Sequence, residues 1–187
     1  WATCMKSTYD VQAIKELALK GPKPAYGTAV QGKEWGTVLH TLLEAAMKHS
    51  DSDLKPLAVS SLTEEGLSLD MLDEVIATVK RVMASDMWKR AQASEHCLVE
   101  VPIQTLSSDS QLPTILRGVI DLVFREPSGW VIVDYKSERV PADTLEELTK
   151  YYRPQLEAYA QRWQELTGET VSEQGVFYTH FGHYVKL

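Results

Sequence analysis

Residues 118–136 have the sequence GVIDLVFREPSGWVIVDYK. Two nearly continuous apolar runs, over 115–125 and 130–136, flank the segment Glu126-Pro127-Ser128-Gly129. Proline at the second position and glycine at the fourth are typical of a type I turn. Runs that are apolar throughout are typical of strands covered on both faces of a sheet. The stretch therefore predicts a β-hairpin inside a buried sheet.

The register of this hairpin predicts where its charged side chains lie. If Glu126 pairs with Gly129, then Asp121 and Asp134 are directly opposed, with Cβ atoms about 4.5–5.5 Å apart. Lys136 follows Asp134 by two residues and points to the same face. Opposed carboxylates in an apolar sheet are unfavourable unless a cation compensates them. Either a hard divalent metal ion or a salt bridge to Lys136 would compensate the carboxylates. The hairpin alone does not decide between these two alternatives.

The rest of the chain predicts helices first and then a mixture of strands and helices. The N-terminal patterns predict a short helix over 10–19, an amphipathic helix over 34–49, a polar turn-rich segment over 50–68 and a long helix over 70–91. The later patterns predict a strand over 97–106 with Pro102 at an edge or bulge, a helix from near Thr144 that is kinked or restarted at Pro154 and ends at Gly168, and strands over 174–179 and 183–187. This order indicates a mixed α/β fold.

Two predicted helices carry polar groups on one face. His40 lies on the helix over 34–49, where its imidazole is a potential metal ligand. Tyr152, Gln155 and Tyr159 have the spacing i, i+3, i+7 and share a face of the later helix. Polar aromatic and amide groups on this face are candidates for contact with phosphate or a metal-bound water. A structural histidine and a packed pair of tyrosines with an exposed amide are the alternatives that the spacing leaves open.

Composition limits the class of protein. The chain has 187 residues and a formal net charge of −7, whereas nucleic-acid-binding proteins usually carry a basic footprint. A site that holds metal, however, must concentrate carboxylates. No apolar run reaches 18 residues, so we expect no transmembrane helix and no membrane partner. Two cysteines are too few for a disulfide framework, and we expect a reducing, cytoplasmic location.

The ends and motifs of the chain suggest a piece of a longer protein. It starts at Trp1 with neither an initiator methionine nor a signal peptide, so we expect an excised segment. It also lacks the G-x-x-x-x-G-K-[ST] phosphate loop of an ATP-driven motor. We expect one domain over 1–187, with a mainly helical part over 1–94 and a sheet-containing catalytic core over 95–187.

Four motifs in this order resemble the RecB-type nuclease domain of the PD-(D/E)XK superfamily, especially the C-terminal nuclease domain of AddA-like helicase–nucleases. The resemblance covers about residues 32–166, and Glu100-Val101-Pro102 is similar to the strand that precedes the core motifs. The motifs are Gly36-Thr37-Val38-Leu39-His40, Gly118-Val119-Ile120-Asp121, Asp134-Tyr135-Lys136 and the segment from Tyr152 to Tyr159.

The resemblance implies a restriction-endonuclease-like core, in which a mixed central β-sheet is flanked by helices, with an N-terminal helical part. It implies a Mg²⁺- or Mn²⁺-dependent deoxyribonuclease of the exonuclease type. The implied metal ligands are His40, Asp121, Asp134 and the backbone carbonyl of Tyr135. The implied catalytic set is Asp121, Asp134, Lys136, Gln155 and Tyr159, and the implied DNA-binding set is Tyr152, Gln155 and Tyr159.

The resemblance also implies a cellular context. The partners would be DNA, mainly a single strand, a helicase motor in the same parent chain and a second subunit. The cellular role of the parent protein would be recombinational repair of double-strand breaks. Relatives with an iron–sulfur cluster carry four cysteines, and this chain has two, so we expect no cluster. The alternative is a catalytically inactive nuclease fold that guides DNA or docks a partner subunit.

Overall fold

A mixed, six-stranded sheet with helices on both faces confirms the predicted α/β architecture. The computed structural model describes residues 9–19, 23–24, 32–50, 52–107 and 112–187. The strands are β1 (Asp10–Ala13), β2 (Cys97–Ser107), β3 (Thr114–Glu126), β4 (Gly129–Lys136), β5 (Val171–Tyr178) and β6 (His183–Lys186). The helices are α1 (Ile14–Ala18), α2 (Lys33–Lys48), α3 (Lys55–Glu64), α4 (Leu72–Met83), α5 (Asp86–Ala93) and α6 (Leu145–Thr167).

The sheet has the order β1-β3-β4-β5-β6, and β2 pairs with the other edge of β3. The β3–β4 hairpin has the predicted register, from Glu126 opposite Gly129 to Leu122 opposite Val133. The β1–β3 and β4–β5 pairs are parallel and the others are antiparallel. Within the described residues β2 pairs only with β3, so Pro102 lies in an edge strand, where its missing N–H is tolerated.

Among the residues that the structure describes, no strand lies beside one edge of β3 over residues 118–121. The short strand β1 pairs with Thr114–Arg117, and β4 pairs with Leu122–Glu126. We call the opening between these two strands the fork. The prediction that Asp121 and Asp134 form a directly opposed pair is therefore wrong, because the β3–β4 ladder ends one pair earlier. Beyond that point β4 continues beside β5 instead of β3.

Each face of the sheet buries its own apolar core. On one face, α2, α4 and α5 cover β3 and β4, with α2 contributing Trp35, Val38, Leu39, Leu42, Leu43 and Ala46. On the other face, α6 and the start of α1 pack on the same strands, with α6 contributing Leu148, Tyr152, Leu156, Tyr159, Ala160 and Trp163. Cover on both faces explains why β3 and β4 are apolar throughout. Within the described residues, every helix is too short or too polar to cross a bilayer.

The segment over 50–68 was predicted to be polar and turn-rich, and this prediction is wrong. It contains α3, which buries Ala58, Ser61 and Leu62. These residues have the i, i+3, i+4 spacing of a helix face, but the serine hides the apolar pattern. Pro56 in the first turn is compatible with a helix start, because the first turn has no intrahelical N–H bonds to lose.

Three predicted helices differ from the observed ones. The segment over 10–19 begins with strand β1 and only then becomes helical. The long helix over 70–91 is divided at Ser85, whose hydroxyl accepts a hydrogen bond from the Trp88 N–H and so caps α5. The later helix is a single one that runs through Pro154 and ends, as predicted, at Gly168 in a left-handed conformation (φ 70°).

Leu62→Ala tests whether α3 belongs to the core. Leu62 is 0% exposed, whereas Leu69, in the short 3-10 helix Leu69–Met71 before α4, is 52% exposed. We expect Leu62→Ala to lower the free energy of unfolding by about 2–5 kcal/mol, because it leaves a cavity. The control Leu69→Ala should stay within about 0.5 kcal/mol of the original chain. Urea denaturation followed by circular dichroism measures both, and equal midpoints for the two variants would contradict this packing.

Candidate active site

The fork is bridged by a side chain instead of a strand-to-strand ladder. The Asp121 carboxylate Oδ2 accepts a hydrogen bond from the Tyr135 backbone N–H at 2.7 Å. Both groups are buried, so this bond satisfies a donor that has lost its partner in β3. The N–H and C=O of one strand residue point to the same side. The Tyr135 carbonyl, predicted from the resemblance as a ligand, therefore also faces the fork.

The strands β2 and β3 change faces at the fork. On β2, Val99 and Val101 are two residues apart but pack against opposite faces of the sheet. Glu100 between them has a φ of 49°, in the left-handed region that non-glycine residues rarely adopt. The residues on either side of Glu100 pair with β3, but Glu100 and Asp121 are not paired. This irregularity leaves both carboxylates free of the ladder, at the place where the sheet opens.

His40, Glu100 and Asp121 form one acidic group at the fork. The His40 Nδ1 lies 3.0 Å from Glu100 Oε1 and 3.6 Å from Asp121 Oδ1. One ligand atom from each of the three residues lies within 4.8 Å of the others. Sequence reasoning placed Glu100 in a motif but did not assign it to the site. The available signal was an acidic residue inside the apolar run of β2, just before Pro102.

Asp134 and Lys136 form a second group beside the first. The Lys136 Nζ lies 2.6 Å from Asp134 Oδ2, so the salt bridge considered as an alternative is present. Gln155 Nε2 donates to Asp134 Oδ1 at 2.8 Å and lies 3.4 Å from the Tyr159 hydroxyl. The Lys136 Nζ also lies 4.2 Å from the centroid of the Tyr152 ring. The predicted residues of α6 thus meet the predicted residues of β4.

Tyr152 contributes its ring to the site, and its hydroxyl is used elsewhere. The hydroxyl donates to Glu138 Oε1 at 2.5 Å, and Lys23 pairs with the same carboxylate. Glu138 was not predicted as part of the site, because it follows the strand in an irregular segment. The other predicted residues all line one cleft of about 840 Å³ at the fork. Tyr152 does not line this cleft, and its ring lies next to the Lys136 ammonium group.

The crowding of charges changes the pKa values in this cleft. Burial lowers the pKa of His40, but the carboxylates of Asp121 and Glu100 outweigh it and raise that pKa to about 9. Burial raises the pKa of Asp121 to about 7, although the nearby His40 opposes the shift. Burial lowers the pKa of Lys136, but Asp134 and Asp121 outweigh it, and the net pKa is raised. Protons and ammonium groups thus balance the buried negative charge at the fork. A metal ion can supply the same positive charge in their place.

The donor atoms in the cleft suit a hard divalent cation. Carboxylate oxygens, one imidazole nitrogen and a backbone carbonyl converge there, and oxygen-rich sets of this kind favour Mg²⁺ or Mn²⁺. Gln155 Oε1 is buried and has no hydrogen-bond partner within the described residues. A buried carbonyl oxygen without a partner is costly, and a metal-bound water would satisfy it. These residues therefore fit a divalent metal.

Residues 11–186 match the PD-(D/E)XK nuclease superfamily. The chain belongs to this superfamily. The resemblance predicted from the motifs is confirmed. The fork thus lies in a domain of a nuclease superfamily.

Curated relatives of this PD-(D/E)XK domain are named as one of the subunits of an ATP-dependent helicase/nuclease. The protein from Carboxydothermus hydrogenoformans is 29% identical over 171 residues, which cover 83% of this chain. The one from Acetivibrio thermocellus is 27% identical over 77% of this chain, and the one from Listeria welshimeri is 25% identical over 95%. The matched region spans 14%, 12% and 16% of these relatives, respectively, so the chain corresponds to a small part of each.

Glu100→Gln tests the residue that sequence reasoning did not assign. Removing its charge should weaken Mn²⁺ binding by about tenfold or more, because Glu100 shares the site with His40 and Asp121. Glu95→Gln is the matched control, since Glu95 is exposed just before the same strand. Isothermal titration calorimetry with MnCl₂ measures both affinities. Equal affinity for the Glu100→Gln variant and the original chain would exclude Glu100 from the site.

Proposed function

We propose that this domain is a metal-dependent deoxyribonuclease of the exonuclease type that hydrolyses phosphodiester bonds. The observation that carries the proposal is the convergence at the fork of an acidic group, His40, Glu100 and Asp121, with the ion pair between Asp134 and Lys136. Membership of the PD-(D/E)XK nuclease superfamily supports the reaction class. Neither the DNA specificity nor the metal follows from family membership alone, and both belong to the proposal.

His40, Asp121, Asp134 and the Tyr135 carbonyl would hold Mg²⁺ or Mn²⁺, and Glu100 joins this set. When bound, the cation supplies charge neutralisation at the phosphate and lowers the pKa of a water molecule. The Asp121 side chain is already held in place by the Tyr135 N–H, and Asp134 is held by Gln155. The ligands are thus oriented before any metal arrives, which reduces the cost of ordering them.

Lys136 is proposed to act on the nucleophile and on the phosphate. Its ammonium group is buried beside Asp134 and over the Tyr152 ring, which keeps it next to the acidic group. There it donates hydrogen bonds to the attacking water and to a phosphate oxygen. The water oxygen forms a bond to phosphorus and gives up a proton to solvent, while the bond from phosphorus to the 3′-oxygen breaks and the leaving 3′-oxygen takes up a proton from solvent. An ammonium group in a buried site stabilises the charge that develops in this step.

Gln155 and Tyr159 are proposed to orient the site and to contact the DNA strand. Gln155 uses its amide N–H on Asp134, and its free Oε1 is available to accept from a water molecule or from a base. Tyr159 hydrogen-bonds the backbone of Val119 in the fork and lies next to Gln155. Tyr152 acts through Lys136, because its hydroxyl is bound to Glu138.

The parent protein is proposed to be a helicase–nuclease for recombinational repair of double-strand breaks. The names of the curated relatives support the helicase–nuclease part of this proposal, and so does their length, of which this chain covers 12–16% in three cases. The helicase motor would lie elsewhere in the same parent chain and would deliver single-stranded DNA to the fork. Further parts of this proposal are a cytoplasmic location and a second subunit.

Asp134→Ala and Lys136→Ala test the proposed reaction. We expect each to slow cleavage of labelled single-stranded DNA roughly 100-fold or more in Mg²⁺ or Mn²⁺, because each removes charge stabilisation at the phosphate. EDTA should abolish cleavage by the original chain. The controls Asp143→Ala and Lys150→Ala change exposed residues outside the cleft and should cleave at the original rate.

Cleavage by either site variant at the original rate would contradict the role assigned to that residue. If the original chain cleaves under no condition and also fails to bind Mn²⁺, the alternative of an inactive module that guides DNA or docks a partner protein is favoured. Mn²⁺ binding without cleavage indicates a competent site that lacks delivery of DNA by the motor.

The proposal includes no iron–sulfur cluster, and absorption spectroscopy tests this. Cys97 lies on β2 and its pKa is raised by burial to about 11, which disfavours the thiolate that iron requires. Cys4 lies outside the described residues. Protein purified without oxygen should be colourless and free of stoichiometric iron. A broad band near 400 nm that disappears on reduction, together with bound iron, would contradict the proposal.

A further inference from the structure

The cleft at the fork carries as many cations as acids, although the whole chain is strongly acidic. Its formal net charge is −7. The acidic side chains that line the cleft are Glu44, Glu100, Asp121, Asp134 and Glu138, and the cationic ones are Lys15, Lys23, Lys33, Arg117 and Lys136. The described lining of the cleft therefore carries no net formal charge, in contrast to the whole chain.

These charges are not all paired. Glu44 pairs with Lys48 on its own helix, and the other acids pair within the cleft. Within the described part of the chain, however, Lys15, Lys33 and Arg117 have no ion pair. Unpaired cations beside an acidic metal site are the arrangement expected where a polyanion binds, because paired cations would first have to give up their partners.

Lys15 and Arg117 lie on the same arm of the fork. Arg117 is the last residue of β3 that pairs with β1, and its partner Ala13 is two residues before Lys15. We call Lys15 and Arg117 the basic rim. The pKa of Lys15 is lowered by partial burial and by the ammonium group of Lys136, which agrees with a position close to that lysine.

Gly118 explains how the basic rim comes so close to the acidic site. A Cβ atom at Gly118 would lie 2.8 Å from a ring carbon of Tyr159 and 3.2 Å from Ile14 Cδ1. Glycine therefore lets α1 and α6 approach the open side of β3 together. Ile14 is buried there, and Lys15, the next residue, is exposed and lines the cleft.

We propose that the basic rim, Lys15 and Arg117, binds the phosphates of the DNA strand next to the phosphate that is cleaved. The acidic group on β3 and β4 takes the reacting phosphate through its metal, and the rim on the β1 arm holds the backbone beyond it. These contacts carry no information about base sequence, because they reach only phosphates. The inference rests on the proposed function, since it assigns the strand path through that same site.

The double variant Lys15→Gln/Arg117→Gln tests the rim by DNA binding. Fluorescence anisotropy of a labelled single strand is measured with the 187-residue chain in EDTA over a series of salt concentrations. The variant should bind roughly tenfold more weakly at low salt, and the slope of log affinity against log salt should fall by about 1.4, at about 0.7 for each lost phosphate contact. Lys55→Gln/Lys80→Gln is the control, because it removes the same charge from exposed positions on α3 and α4.

Binding by the control should equal that of the original chain, which separates a local contact from the effect of net charge. An equal loss in the rim and control variants would overturn the proposal, as would an unchanged rim variant or no binding by the original chain. Circular dichroism melting of each variant ensures that folded proteins are compared. DNA binding is measured without cleavage, so failure of the nuclease assignment and failure of the rim proposal give different results. If the nuclease assignment fails, the Asp134→Ala variant still cleaves. If the rim proposal fails, the salt slope of the Lys15→Gln/Arg117→Gln variant is unchanged.

Discussion

The hydrogen bond from the Tyr135 N–H to the Asp121 carboxylate is the interaction on which the site depends. It replaces the ladder bond that β4 loses when it leaves β3, and it does so with a charged acceptor. Without it, the fork would leave the buried Tyr135 N–H without a partner, at a cost of about 1–3 kcal/mol, and Asp121 would keep only its contact with His40. With it, the sheet can open and still hold Asp121 and the Tyr135 carbonyl toward the same space.

The elements around the fork supply the charges that an open, buried sheet requires. The helix α2 brings His40 from one face, and α6 brings Gln155 from the other. Both helices are fixed by large apolar cores, so these side chains are held by packing that lies far from the chemistry. A divalent cation can take the place of the protons and of Lys136 in balancing the charge of the carboxylates. The basic rim then provides positive charge on the β1 side of the fork, where a nucleic-acid backbone would continue.

Sequence reasoning predicted the hairpin, its register, α2 and the end of α6, because these follow from local periodicity and turn chemistry. It did not predict where the hairpin stops pairing, since local turn chemistry does not set the length of the ladder and β4 continues past it paired with β5 on its other edge. Glu100 was not assigned because its place in the site depends on an irregular backbone (φ 49°), which spacing does not reveal. The helix α3 was missed because its buried face includes a serine. Motif resemblance, more than periodicity, was what grouped the residues that line the cleft together, namely His40, Asp121, Asp134, Lys136 and Gln155.

The central claim is that the fork is a metal centre built around Asp121. Anomalous diffraction from crystals of the chain grown or soaked with Mn²⁺ tests it most directly. We expect a single strong manganese peak about 2.0–2.3 Å from His40, Asp121, Asp134 and the Tyr135 carbonyl, with the Lys136 Nζ no longer on Asp134. The absence of a peak at the fork at millimolar Mn²⁺, or a peak elsewhere while Lys136 remains bound to Asp134, would contradict it.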